Sequence, residues 1–331
     1  MNHIPLSAKI YVAGHKGLVG SAIWHQLQQL GYNNLFGLSS SECDLTDQFE
    51  VQSLFERERP QYVFLAAAKV GGIHANATYP ADFVYRNLMI QCNIINAAAQ
   101  HGVDRLLFLG SSCIYPRDCP QPQKEEYLLS GPLEFSNRPY AIAKIAGIET
   151  CWSYNRQHGT RFLAAMPTNL YGPGDNYHSE NSHVIPALIR KMHLAKESNA
   201  DEVILWGTGT AQREFLYSAD LAAAAVHLMN LPREQYDPLI DPTLATPPLI
   251  NIGVGKEITI AALAQLIANI VGFNGHIAWD SSKPDGTPRK VLDVTRINNL
   301  GWIAKTTLEE GLRTTYSSVQ ELLNLDLAAV H

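Results

Sequence analysis

Short β-rich runs alternate with longer helical stretches through about the first 170 residues, and this alternation constrains the fold more than any other feature. Runs at 9–13 (KIYVA), 35–38, 62–65 (YVFL), 105–109 (RLLFL) and 161–166 read as strands. The stretches 18–30, 51–57, 80–101 and 139–158 read as helices. Strands spaced by helices in this way predict a parallel sheet covered on both faces: a Rossmann-like, doubly wound α/β fold. Such sheets take ligands beyond the carboxyl ends of their strands. The turns after Ala13, Leu38, Leu65, Leu109 and Met166 are therefore where chemistry is expected.

Beyond Pro167 the character changes. A polar loop at 171–182 (YGPGDNYHSENS) leads to an expected helix at 185–196, a strand at 203–206 and a helix at 219–229. The stretch 237–248 holds four prolines and reads as a surface connection. A run at 250–253, a helix at 260–271 and a loop at 282–289 then close a smaller mixed α/β domain. Residues 1–172, with part of 213–240, are expected to bind a dinucleotide, and 173–331 to bind substrate. A chain of 331 residues suits two domains at about 150 residues each.

Several function classes drop out on composition. With 46% hydrophobic and 17% charged residues the chain can bury sizeable cores. A net charge of -6 excludes a broad, nonspecific nucleic-acid surface but leaves room for a local phosphate pocket. No apolar run approaches the roughly 20 residues of a membrane span. Residues 1–14 lack a basic start and a small-residue cleavage site, so a cytoplasmic protein is expected. The five cysteines show neither pairing nor metal-ligand spacing, so no disulfide framework and no metal are expected.

Gly14-His15-Lys16-Gly17-Leu18-Val19-Gly20 joins the first strand to the first helix. Gly14 permits a tight exit from the strand. Gly17 lets the backbone approach a pyrophosphate, and Gly20 lets the helix pack closely on the sheet. The helix N-terminus offers free N–H groups and partial positive charge to the phosphates. At the end of the second strand, where an acid would select a ribose 2′-hydroxyl, the chain reads Leu38-Ser39-Ser40-Ser41-Glu42. Hydroxyls at Ser39 and Ser40, with Lys16 nearby, lean towards NADP. Asp44, followed by Leu45, is expected on the adenine side.

Tyr140 and Lys144 stand four residues apart, hence on one helix face. A cation beside a phenol lowers its pKa towards a useful range. Alone, such a pair is more often a solvated helix face. The glycine turn upstream, and Gly110-Ser111-Ser112-Cys113 directly after the fourth strand, favour chemistry instead.

Together these features resemble the extended short-chain dehydrogenase/reductase family. The segments LAAAKVGGI (65–73), LFLGSSCIYP (107–116), PYAIAKIAGI (139–148), MPTNLYG (166–172), NSHVIPA (181–187) and KPDGTPRK (283–290) resemble one branch in particular. That branch contains the GDP-4-keto-6-deoxymannose 3,5-epimerase/4-reductases. The resemblance covers nearly the whole chain. It implies a reductase triad of Ser111, Tyr140 and Lys144, with Tyr140 protonating the C4 oxygen. It implies that Ala66, Ala67 and Ala68, Leu109 to Ser112, and Pro167, Thr168, Asn169 and Leu170 line the nicotinamide end of NADP(H). His183 would also touch the cofactor.

Lys191, Trp206, Arg213 and Asp285 fall where the family holds its GDP-sugar. Cys113 and His183 are implied as the acid/base pair that inverts C3 and C5. If the segment after Ser111 is extended, the Cys113 thiol points the same way as the Ser111 hydroxyl. A homodimer through the helices at 80–101 and 139–158 is the family's habit. Two other readings compete. A 4,6-dehydratase needs a carboxylate beside the serine, and a 4-epimerase has no use for Cys113 and His183. A noncatalytic dinucleotide sensor has no reason to keep Ser111, Tyr140 and Lys144 together.

Overall fold

The computed structural model describes residues 4–178, 181–283 and 285–328. The few others include parts of the loops expected at 171–182 and 282–289, which to that extent lie outside the described residues. The chain opens with β1 (Ile10–Ala13), α1 (Leu18–Gln29), β2 (Leu35–Phe36), α2 (Gln48–Glu58) and β3 (Tyr62–Leu65). Then come α3 (Ile73–Thr78), α4 (Pro80–Gln100), β4 (Arg105–Leu109), α5 (Arg138–His158) and β5 (Phe162–Pro167). β6 (Asn169–Tyr171), α6 (Val184–Glu197), β7 (Glu202–Trp206), β8 (Gln212–Arg213) and β9 (Phe215–Tyr217) follow. Next are α7 (Ser218–Met229), α8 (Arg233–Tyr236), β10 (Leu249–Ile252), β11 (Ile258–Thr259) and α9 (Ile260–Val271). β12 (His276–Asp280), β13 (Arg289–Lys290), α10 (Thr295–Asn299) and α11 (Leu308–Ala328) complete the chain.

The larger sheet runs β10-β5-β4-β3-β1-β2, parallel throughout. It is the expected Rossmann-like, doubly wound sheet. Its inner strands are buried along their whole length, which is why they read as unbroken apolar runs rather than alternating ones. The strand order reverses between β1 and β3, and a crevice opens there beyond their carboxyl ends. Helix boundaries follow local chemistry. The Asp47 carboxylate accepts the Phe49 and Glu50 N–H groups to start α2, and Gly159 ends α5 in the left-handed region at φ 66°.

Three expectations need correction. The run at 250–253 is not part of the smaller domain: Leu249–Ile252 is the outer strand of the large sheet, paired with β5. Its four residues are all buried, as a sheet strand covered on both faces requires. Ile297 and Trp302 pack into the same core, so the chain returns to the nucleotide side near its end. The second strand stops at Phe36 rather than at 38. Gly37 lies so close to the His15 ring that a Cβ would stand 2.5 Å from it, and the chain turns away there. The connection at 237–248 starts with a 3-10 turn, Asp237–Ile240, because Ile240 and Tyr236 are drawn into the core.

The smaller part packs α6, α9 and α11 around Ile189, Met192, Leu263, Ile267 and Leu312. It carries the parallel pair β7 and β12 and the short sheet β11-β8-β13. Among the described residues no helix is long and apolar enough to cross a membrane. No cluster of three or more potential metal ligands occurs among them either.

Candidate active site

The glycine turn sits at the reversal of strand order. Gly14 has φ 83°, and a Cβ there would lie 2.8 Å from the Ala67 backbone. The loop of Ala66, Ala67 and Ala68 therefore closes directly over the turn, and the Ala66 N–H donates to Ala13 O at 3.0 Å. The Gly17 N–H donates to Gly14 O at 3.0 Å, and any side chain on Gly20 would run into that carbonyl. Gly17 caps α1 with no side-chain hydrogen bond, which leaves the amides of its first turn to a ligand. Lys16 is exposed at this turn. The His15 ring is wedged between Gly37 and Trp24, and burial first, then Lys16, lowers its pKa.

The far wall is built by β4, β5 and α5. Gly110 follows β4, and its N–H donates to Ala165 O at 2.8 Å. Gly147 of α5 leaves no room between itself and the Phe108 ring, so α5 lies tight on β4. That places Lys144 at the strand's end. Its ammonium donates to Leu109 O at 2.8 Å and lies 5.7 Å from the centre of the Tyr140 ring. Burial brings the Lys144 pKa down to about 8. The expected lowering of Tyr140 is not found: burial first, then Cys113, pushes its phenol well above the ordinary value. The Lys144 ammonium is engaged by a carbonyl and meets the ring, not the hydroxyl.

The segment after Ser111 is also not extended. Ser112–Ile114 is a 3-10 turn, which the Ser111 hydroxyl caps by accepting the Cys113 N–H at 3.3 Å. The turn still ties the two residues together, through the bond from the Cys113 N–H to the Ser111 hydroxyl. Burial pushes that thiol up, while Lys290, Ser111 and Lys144 pull it back. Ser111, Cys113, Tyr140 and Lys144 thus form one cluster. Pro167, Thr168, Asn169 and Leu170 pass beside it; Thr168 and Asn169 donate to Glu214 O at 3.3 and 2.8 Å.

His183 stands immediately before α6. The loop after β3 brings it to the nucleotide side: the Gly72 N–H donates to Asn181 O at 3.1 Å, and a Cβ on Gly72 would touch Ser182 O. Desolvation, then Lys290, lowers the His183 pKa. Lys290 thus raises the cost of a positive charge on His183 and lowers that of a thiolate at Cys113. Sequence reasoning missed it, although it ends the 283–290 motif. With Cys113, Arg117, Glu134 and Asn137 it lines a cavity of about 40 Å³.

The remaining expected residues spread along the smaller part. Arg213 on β8 pairs in register with Lys290 and so adjoins the Cys113 cluster. Asp285 accepts the Thr208 N–H at 2.7 Å and its hydroxyl at 2.8 Å, and these bonds lower its pKa. Trp206 is 69% exposed, which settles it as a surface ring rather than core. Lys191 donates to Ile204 O at 2.8 Å, near Trp206. On the nucleotide side, Leu45 packs on the core and Asp44 caps Thr46 through its N–H and hydroxyl at 2.9 and 2.8 Å. Ser39 and Ser40 stand at the end of β2, where Glu42 turns back onto Ser39.

Comparison with known proteins extends this geometry. The family model described as the NAD dependent epimerase/dehydratase family matches residues 10–241. GDP-L-fucose synthase 1 of Arabidopsis thaliana is 55% identical over 310 residues, covering 94% of this chain and 92% of that protein. GDP-L-fucose synthase of Escherichia coli K12 is 54% identical over 308 residues, covering 93% of this chain and 95% of that protein. Among solved structures, a GDP-L-fucose synthetase from Naegleria fowleri bound to NADP superposes with a TM-score of 0.86. It is 28% identical and covers 97% of this chain and 96% of its own.

Proposed function

This chain belongs to the NAD dependent epimerase/dehydratase family, in the branch of the GDP-L-fucose synthases, and we propose that it converts GDP-4-keto-6-deoxymannose to GDP-L-fucose. The reaction inverts C3 and C5 and then reduces C4. Identity of 55% to a GDP-L-fucose synthase, spread over both parts of the fold, carries this reading.

NADP(H) suits the glycine turn. The cradle under Ala67 would be filled by any side chain at Gly14, and the first amides of α1 have no side-chain cap. When bound, NADPH supplies the hydride for C4. Gly14 to Gly20 would hold its pyrophosphate, Lys16, Ser39 and Ser40 its 2′-phosphate, and Asp44 and Leu45 its adenine side. Ala66 to Ala68, Leu109 to Ser112, Pro167 to Leu170 and His183 would line the nicotinamide end.

The chain's own groups do the rest. The Ser111 hydroxyl holds the C4 oxygen, and Tyr140 gives that oxygen its proton. Lys144 fixes α5 to the end of β4 and would hold the nicotinamide ribose. A ketone at C4 acidifies the hydrogens on C3 and C5, so Cys113 and His183 beside it can exchange protons at both carbons. Arg213 offers the phosphates a bidentate guanidinium. Lys191, Trp206 and Asp285 serve the remainder of the GDP.

Incubation with GDP-4-keto-6-deoxymannose and NADPH should yield GDP-L-fucose by NMR. A product retaining the mannose configuration at C3 and C5, or no product, would refute the assignment. NADPH should also show a higher kcat/KM than NADH, since Lys16 and hydroxyls stand at the ribose end; the reverse order would exclude a 2′-phosphate site there.

The five cysteines are free, which accords with work in the reducing cytoplasm. We also infer a homodimer through α4 and α5, whose outer faces expose Tyr85 and Ile142. Sedimentation should give twice the chain mass, and Tyr85→Glu should shift it towards the monomer. A wild-type protein that sediments as a monomer at micromolar concentration ends this inference.

A further inference from the structure

We propose that Glu42 is a specificity-determining residue for the dinucleotide, because its carboxylate already holds the two donors at the end of β2 that a ribose 2′-phosphate would use. The inference rests on the reading of this site as one for NADP(H).

The contacts are specific. One Glu42 carboxylate oxygen accepts the Ser39 N–H at 2.7 Å and the Ser39 hydroxyl at 2.5 Å. The Ser39 and Ser41 hydroxyls lie 2.9 Å apart, so the carboxylate organises a small cluster of hydroxyls. The backbone imposes the return: the Glu42 and Cys43 N–H groups both donate to Ser39 O at 3.0 Å, closing a turn. This turn adjoins the phosphate loop, since Gly37 lies against the His15 ring. The hydrogen bonds from the Ser39 hydroxyl and N–H hold the Glu42 carboxyl below the usual range, and the charge of Lys16 adds to this.

An acid at the end of the second strand accepts a ribose 2′-hydroxyl and repels a 2′-phosphate. Glu42 provides one from the turn that follows, six residues beyond the end of β2. Lys16 and Glu42 therefore act in opposite senses. Lys16 attracts a 2′-phosphate. Glu42 must surrender two charge-assisted hydrogen bonds, or tolerate a second anion, before that phosphate can reach Ser39. With a 2′-hydroxyl no such conflict arises, because the hydroxyl can donate to the carboxylate. Glu42 thus narrows the margin by which NADPH outcompetes NADH.

The test is equilibrium binding, which needs no sugar substrate. Titrations of NADPH and NADH, and of 2′,5′-ADP against 5′-AMP, are followed by protein fluorescence for wild type, Glu42→Gln and Glu42→Ala. Glu309→Gln, an exposed acid on α11, controls for net charge. In both Glu42 variants the ratio of the NADH to the NADPH Kd should rise about tenfold, as expected of one charge beside a phosphate. Binding of 2′,5′-ADP should tighten as well, and the control should match wild type. A ratio unchanged or shifted towards NADH in both variants overturns the role of Glu42. Wild-type protein that binds neither dinucleotide overturns the NADP(H) reading beneath it, and the two failures are thereby distinguishable.

Discussion

Replacing Tyr140 by Phe should leave a folded protein that binds NADPH and exchanges the sugar hydrogens, yet reduces C4 roughly 10² to 10⁴ times more slowly. The fold is insulated from the change. The phenyl ring keeps its edge-on contact with Phe83, with centroids 6.2 Å apart. What seats α5 is the bond from Lys144 to Leu109 O and that from Gln91 to Ala143 O, and neither uses the Tyr140 hydroxyl. Burial pushes the phenol up, so it carries its proton at neutral pH, the form needed to neutralise a C4 alkoxide. Phe has nothing to donate. Near-wild-type NADPH oxidation by Tyr140→Phe, measured at saturating keto-sugar, would remove Tyr140 from the reduction.

Cys113→Ser and His183→Gln should have the opposite signature. Solvent deuterium should almost cease to enter C3 and C5, a loss of about 10² to 10⁴ for each proton-transfer group. NADPH oxidation with the unepimerised ketone should continue and give a deoxyhexose of the wrong configuration. Two environments support the pairing. The thiol is raised by burial but faces Lys290 and Ser111, and the imidazole is lowered by desolvation and by that same Lys290. Both shifts favour the neutral forms, leaving one proton on sulfur and a free ring nitrogen to receive another. A serine at 113 keeps the backbone N–H that meets the Ser111 hydroxyl, but its own hydroxyl is far less acidic than a thiol. If either variant still exchanges both positions at the wild-type rate, the residue it replaces lies outside the epimerisation.

What could be read from the sequence was what is local. Buried strands announced themselves as apolar runs, and the spacing of Gly14, Gly17 and Gly20 forecast a turn that approaches Ala67 tightly. The extended segment expected after Ser111 is instead a 3-10 turn, in which the Cys113 N–H, not its thiol, meets the Ser111 hydroxyl. What escaped was what only long-range contact creates. Leu249–Ile252 has the composition of a strand, but nothing in it says that it will bind β5 more than 80 residues upstream. Lys290 is an unremarkable lysine until β13 lies beside β8. Glu42 drew no role from the sequence, because its return to Ser39 depends on backbone bonds that residue spacing does not encode.

The placement of β10 has a mechanical corollary. The polypeptide leaves the large sheet after β5, comes back at α7, departs again after β10, returns at α10 and leaves once more for α11. The two parts are therefore laced together rather than tethered by one strap. A single linker would allow swivelling about any axis, whereas several crossings that must flex in concert permit little beyond a narrow shear. Cys113 comes from one side of the lacing and His183 from the other. The relative placement of the two is thus held by the route of the chain itself, and a cut or insertion at any one crossing would loosen it without touching either residue.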